Sequence, residues 1–177
     1  MGEGIELPER HHEDHPLVLP VSITISIMAV LVAGATLLGH RAHTEELLLQ
    51  SQATDQWAYY QAKNGRYHGM QTTADLIETM IPRDKDKAEV LLKKYEKEIE
   101  RYDSDKEDIS EKAKELEKER DLVSHRADRF DGGEALMEIG LVICSITLLT
   151  KRKGFWAGGV LVGALGIALA ATGFFLH

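Results

Sequence analysis

The residues best suited to chemistry in this sequence are histidines and carboxylates, and they occur in two places. The first is the amino-terminal tail, which contains His11, His12, Asp14 and His15 in one short run. Imidazoles and carboxylates at this spacing can hold Zn²⁺ or Ni²⁺ loosely. A flexible tail has to be ordered before it can bind a metal, and that ordering costs conformational entropy. We therefore expect a solvated tail rather than a metal site.

The second place is the pair His40 and His43, which stand about one helical turn apart at the end of an apolar segment. Asp131, Glu134 and Glu138 lie at the start of the next apolar segment. A chain that leaves a membrane and returns to it brings both sets of residues to a similar depth. Such a membrane-exit polar cluster could bind a metal, relay protons or clamp two helices, or its members could be solvated at the membrane surface. We expect a structural clamp and predict no metal and no cofactor.

Motifs of known catalytic sites are missing from the sequence. We find no phosphate-binding loop, nucleophile elbow, zinc-protease helix or pair of catalytic acids, so the sequence gives no reason to predict an enzyme. The single cysteine, Cys144, allows no intrachain disulfide. A formal net charge of −8 without a basic patch argues against nucleic acid as a partner.

Three apolar segments could hold these residues in a membrane. Residues 17–39 contain no charged side chain, and as a helix they would span about 35 Å, against a hydrocarbon core of about 30 Å. The second segment, 134–150, is shorter and contains Glu138, and the third is 155–176. The acidic tail 1–16 argues against a cleaved signal peptide, which needs a positively charged start. The sequence therefore predicts an all-α membrane protein with three transmembrane helices.

The third segment is rich in glycine. Gly159, Gly163 and Gly166 fall close to one face of a helix, and small residues allow helix backbones to approach each other in lipid. We predict a helix-packing role for these three glycines, although glycine is also common in membrane helices without a specific role.

The loop between the second and third segments carries the clearest signal for orientation. Residues 151–154 contain three cations, and short cationic loops stay in the cytoplasm. Four arginines flank the segments on the opposite side, but cations in long loops weigh less in this rule. We therefore expect the polar region 40–133 outside the cytoplasm.

The polar region begins as a continuation of the first segment. Residues 40–63 contain neither Gly nor Pro and predict a helix that runs on from the membrane. The stretch Asn64–Gly69 contains the turn dipeptide Asn-Gly and predicts a break. A separate short helix over 71–81 should follow and end at Pro82.

The strongest periodicity in the chain lies on the returning arm of this region. Alternating steps of four and three residues from Ala88 to Phe130 meet apolar residues or Tyr at eleven of thirteen positions, the exceptions being Lys106 and Arg120. This repeat of 3.5 residues predicts a coiled-coil seam within a protruding helical hairpin. The outgoing arm has a less regular stripe, so we expect part of the seam to pack on other chains. The seam residues are Leu92, Tyr95, Ile99, Tyr102, Ile109, Leu116, Val123 and Phe130.

Three stretches of the sequence resemble a known family. These are His40–Lys63 (HRAHTEELLLQSQATDQWAYYQAK), residues 145–156 (SITLLTKRKGFW) and the His-bearing acidic tail, which resemble the membrane proteins of domain-of-unknown-function family 4337. The resemblance implies a bacterial membrane protein with three helices and a polar insertion, and it implies no activity, cofactor or substrate. For such a protein we expect the inner membrane, with residues 40–133 in the periplasm.

These observations favour a non-catalytic function. We expect an integral membrane scaffold or accessory subunit that self-associates or docks on a larger membrane complex, with the lipid bilayer and other subunits as its partners. The alternative is a homo-oligomeric channel or transporter that uses Glu138 and the glycine-rich third segment. Glu138 is the only charged residue within 135–150 and 155–176, which favours an anchor over an ion path.

Overall fold

The computed structural model describes residues 16–80 and 84–176, and within these ranges the secondary structure is helical and contains no strand. The long helices are α1 (Val18–Thr79), α2 (Lys85–Thr150) and α3 (Lys153–Thr172), and a 3₁₀ turn, Gly173–Phe175, follows α3. The prediction of an all-α protein is confirmed. By length and composition, each of the three helices could cross a membrane. The histidine-rich run of the tail lies outside the described residues.

The chain forms two compact units, and both α1 and α2 contribute to each of them. The apolar unit combines Met1–Gly39 with Asp128–Leu176, described from residue 16 onward. The polar unit consists of His40–Ala127. In both units the α1 segment is antiparallel to the α2 segment, since successive contacts move forward along one helix and backward along the other.

Local hydrogen bonds account for the start of α2. The Asp84 carboxylate accepts the backbone N–H of Lys87 at 3.2 Å, and the Asp84 carbonyl accepts that of Ala88 at 3.2 Å. These N–H groups would otherwise be unsatisfied at a helix start. Hydrogen bonds from the Lys87 side chain and backbone also lower the pKa of the Asp84 carboxyl below its ordinary value.

The turn between α2 and α3 is shorter than the predicted loop 151–154. Lys151 adopts a left-handed conformation (φ 55°) and donates its N–H to the Thr147 carbonyl at 2.8 Å, which ends α2. Only Lys151 and Arg152 lie between the helices, because Lys153 already begins α3.

The backbones of α2 and α3 touch through glycines. A Cβ atom added to Gly140 would lie 2.7 Å from the Gly159 carbonyl oxygen, and one added to Gly166 would lie 2.6 Å from that of Gly133. Real Cβ atoms do not approach backbone so closely, so no larger residue fits at these positions without a shift of the helices. Gly159, Gly163 and Gly166, the predicted packing glycines, are all buried.

The predicted helix break at Asn64–Gly69 is wrong, as is the separate helix over 71–81. α1 continues through this stretch to Thr79, and no glycine in the described residues has a positive φ. Contacts with α2 account for the continuity, because the Asn64 side chain accepts a hydrogen bond from Lys106 and the Tyr67 ring lies against the same amine. Tertiary packing therefore overrides the weak helix propensity of Asn-Gly.

Gly65→Ala and Gly69→Ala should each stabilise the protein by about 1 kcal/mol, because Ala favours a helix more than Gly does. An added Cβ atom meets nothing within 4 Å at either position. The measurement is thermal unfolding of the full-length protein in detergent, followed by far-ultraviolet circular dichroism.

Gly140→Ala is the matched control, since its methyl group would meet the α3 backbone and should destabilise the protein by about 1–3 kcal/mol. A lower melting temperature for Gly65→Ala would contradict a continuous α1.

Candidate functional site

Two polar contacts tie α1 to the other helices of the apolar unit. The Thr36 hydroxyl lies 2.5 Å from the Glu134 carboxylate of α2, to which it donates, and the Trp156 indole of α3 donates to the Thr24 hydroxyl at 3.2 Å. The Thr24 hydroxyl in turn donates to the Pro20 carbonyl at 2.8 Å. Glu134 is therefore a clamp residue in this structure, and its partner is a threonine of the same unit.

The predicted membrane-exit polar cluster is distributed over both units. His40 is exposed and His43 is half-buried in the polar unit, where the His43 Nδ1 atom lies 3.3 Å from the Glu46 carboxylate. Asp131, Glu134 and Glu138 belong to the apolar unit. No group of three His, Cys, Asp or Glu side chains within residues 16–80 and 84–176 could hold a metal ion. A single cluster that joins the histidines to the acids stays a prediction.

The other two acids of this set occupy different surroundings from Glu134. Asp131 is exposed, but its carboxylate lies close to α1. A Cβ atom added to Gly39 would be only 2.7 Å from a carboxylate oxygen of Asp131. Gly39 thus leaves room for the Asp131 side chain beside α1. Glu138 is exposed on α2.

All thirteen positions of the predicted seam lie inward. None of them is exposed, whereas the intervening Glu and Lys residues of α2 mostly are. Six of the positions are buried: Tyr102, Ile109, Ala113, Val123, Ala127 and Phe130. The remaining seven are half-buried: Ala88, Leu92, Tyr95, Ile99, Lys106, Leu116 and Arg120.

Side-chain hydrogen bonds fix how the two arms of the polar unit are paired. The Arg120 guanidinium donates to the Gln50 amide oxygen at 2.5 Å, and the Trp57 indole donates to the Glu117 carboxylate at 2.9 Å. These bonds are directional, so a slip of one helix along the other would break them. The polar seam position at Arg120 therefore sets the register of the pair, as single polar residues do in coiled coils.

Two lysine side chains that are mostly buried form the most unusual feature of the polar unit. The Lys63 side chain is only 12% exposed, and its amine lies 2.7 Å from the Asp105 carboxylate. The same amine is 4.9 Å from the centre of the Tyr102 ring and 5.5 Å from that of Tyr59. The hydrogen bond to Asp105 is the main reason why the pKa of Lys63 is raised above its ordinary value.

Lys106, also 12% exposed, has a matching environment. Its amine lies 3.7 Å from the centre of the Tyr67 ring, 3.3 Å from the Asn64 amide oxygen and 3.2 Å from the Asp103 carboxylate. Aromatic rings and hydrogen-bond acceptors replace the water that a partly buried ammonium loses. We call this set the lysine–tyrosine layer: Lys63, Lys106, Tyr59, Tyr67 and Tyr102.

The sequence reasoning missed this layer. One signal was visible, since Lys106 is one of two charged residues in the predicted seam and therefore needs polar partners. Its partners Asn64 and Tyr67 stand 42 and 39 residues earlier in the chain, within the stretch that predicts a helix break.

A comparison with protein-family models shows to which family the chain belongs. A family model described as Domain of unknown function (DUF4337) matches residues 19–176. The chain belongs to this family. The DUF4337 match covers α2 and α3 entirely and nearly all of α1, so it includes both units. No curated protein and no solved structure matches this chain. The family description names no activity.

Asp105→Asn should lower the melting temperature of the protein at neutral pH, and this effect should diminish as the pH falls below the ordinary Asp pKa of about 4. The Lys63 amine holds the pKa of Asp105 below its ordinary value through a hydrogen bond and its charge, with a smaller contribution from Arg101. A lowered carboxyl pKa stabilises the folded state above the ordinary pKa, and this stabilisation disappears as pH falls through the lowered value. Thermal unfolding across this pH range measures the effect.

Asp108→Asn is the matched control because it removes the same charge from an exposed position of α2. The pairing would be disproved if both variants melted alike at neutral pH.

Proposed function

We propose that this DUF4337 protein is a non-catalytic integral membrane scaffold or accessory subunit. In this proposal the apolar unit crosses the bilayer with three helices, and the polar unit lies in water as a stiff helical arm. The protein self-associates or docks on a larger membrane complex. The proposed location is the bacterial inner membrane, with the polar unit in the periplasm.

The outward-facing side chains of the apolar unit carry this proposal. Each helix of the unit carries large apolar side chains that are exposed. The most exposed of them include Leu19 (71%), Val30 (72%), Leu149 (85%) and Phe175 (82%). Contiguous apolar surface of this extent is rare on proteins in water, but lipid chains solvate it without cost. The observation supports a unit surrounded by lipid.

The interior of the apolar unit supports an anchor more than a channel. Three glycines of α3 are buried in contacts with α2 and α1, whereas Glu138 is exposed: Gly159, Gly163 and Gly166. The residues of the channel alternative therefore do not line a common path within one chain.

The polar unit supports the role of an interaction arm. Its charged residues lie mostly on the surface, and the lysine–tyrosine layer and the pairs across the two arms fix one alignment of the helices. We propose that this pairing is an antiparallel coiled coil. A rigid arm with a fixed register can present the same surface to each partner.

Native mass spectrometry of gently solubilised membranes tests the proposal. We expect the protein in assemblies heavier than one 19.8 kDa chain, and harsh detergent should reduce them to that single-chain mass. A single chain under gentle conditions would contradict a scaffold. Ion or solute flux through liposomes of the purified protein, lost in Glu138→Gln, would support the channel alternative instead.

A further inference from the structure

One face of α2 in the apolar unit is used by neither α1 nor α3. Steps of three and four residues along this face pass through side chains that are all exposed. We call this set the outward stripe of α2: Ala135, Glu138, Val142, Ser145 and Leu149. It combines two polar groups with small and aliphatic residues, and its repeat of 3.5 residues is that of a left-handed helix pair.

Glu138 lies well inside the apolar unit along the helix axis. On α2 it stands between Glu134, which contacts Thr36, and Gly140, beside which Met28 packs. Its Cα atom is about 10 Å along the helix from Asp131 and about 18 Å from the end of α2. A glutamate side chain is too short to reach water over that distance. In a bilayer its carboxyl group would therefore remain in the hydrocarbon region.

No described residue of the chain satisfies this carboxyl group. The structure shows no hydrogen bond or ion pair to Glu138 within residues 16–80 and 84–176, whereas Ser145 on the same stripe donates to the Val142 carbonyl at 2.7 Å. Lipid chains offer no donor either. An acid at this depth is costly unless another protein group meets it, so the outward stripe needs a partner with a donor at the same depth.

We propose that this partner is a second copy of the chain, packed through the outward stripe of α2 about a two-fold axis along the membrane normal. The proposal rests on the proposed membrane location. In such a parallel pair each stripe residue meets its own copy, so the depths match without further adjustment. The two Glu138 side chains then meet at the same depth, where one carboxyl group can donate a hydrogen bond to the other.

The rest of the stripe is compatible with such a pair. Ala135 is small enough for the two helices to approach closely. The Ser145 hydroxyl of one copy can accept from that of the other while it donates to its own Val142 carbonyl. Val142 and Leu149 supply apolar contact between these levels. The stripe is therefore self-complementary at each level.

Disulfide crosslinking in native membranes tests the pair. Single cysteines replace Ala135 or Val142 in a Cys144→Ala background, and we expect an oxidant to produce a covalent species of twice 19.8 kDa. Leu165→Cys is the matched control, since Leu165 is exposed on α3 at nearly the same depth, next to Gly166, which contacts Met137. It should crosslink several-fold less.

Changes at Glu138 then test the hydrogen bond. Glu138→Gln retains a group that both donates and accepts and should keep the crosslink, whereas Glu138→Leu should reduce it several-fold. Equal crosslinking of Leu165→Cys, or no effect of Glu138→Leu, would overturn the proposal, as would a crosslink to a protein of another mass. Resistance of all variants to alkaline extraction, without any crosslink, would reject the pair and leave the membrane scaffold standing. Their extraction with soluble proteins would reject the scaffold as well.

Discussion

Gly140 and Gly159 bring α2 and α3 so close that the backbone of each helix lies where a Cβ atom of the other would be. In lipid the hydrophobic effect does not drive helices together, so close packing has to hold them. The remaining contacts of the apolar unit follow from this approach. Met28 of α1 lies beside Gly140 and Gly163, and a Thr36–Glu134 hydrogen bond adds direction to the contact between α1 and α2.

The polar unit is held by a different kind of interaction. The buried residues of its seam include the small side chains of Ala113 and Ala127, which bury little apolar surface. Directional side-chain hydrogen bonds supplement this burial. Carboxylates, an amide and aromatic rings replace the water around the amines of Lys63 and Lys106. These groups face the two amines only when α1 and α2 are paired in the observed register. Long α1 and α2 helices thus use two forms of packing, one suited to a lipid environment and one suited to water.

The sequence predicted those features that depend on local pattern. Hydrophobic runs gave the apolar segments, and the heptad spacing gave an inward face that includes Tyr102 and Ile109. The sequence did not predict features that depend on a partner far away along the chain. The dipeptide Asn64-Gly65 is typical of a turn, and only the contact with Lys106 of α2 explains why it is helical here. Glu134 pairs with Thr36, and no sequence pattern marked this threonine as a partner. The exposure of Glu138 likewise depends on which face of α2 receives α3.

The central claim is that the apolar unit lies in lipid while the polar unit lies in water, and the two tryptophans of the chain report on it separately. Trp57 belongs to the polar unit and Trp156 to the apolar unit. Fluorescence of the reconstituted Trp57→Phe and Trp156→Phe proteins measures each ring alone. Lipids brominated on their acyl chains should quench Trp156 strongly and leave Trp57 unchanged, whereas aqueous iodide should do the reverse. Quenching of Trp156 by iodide but not by brominated lipid would contradict the account.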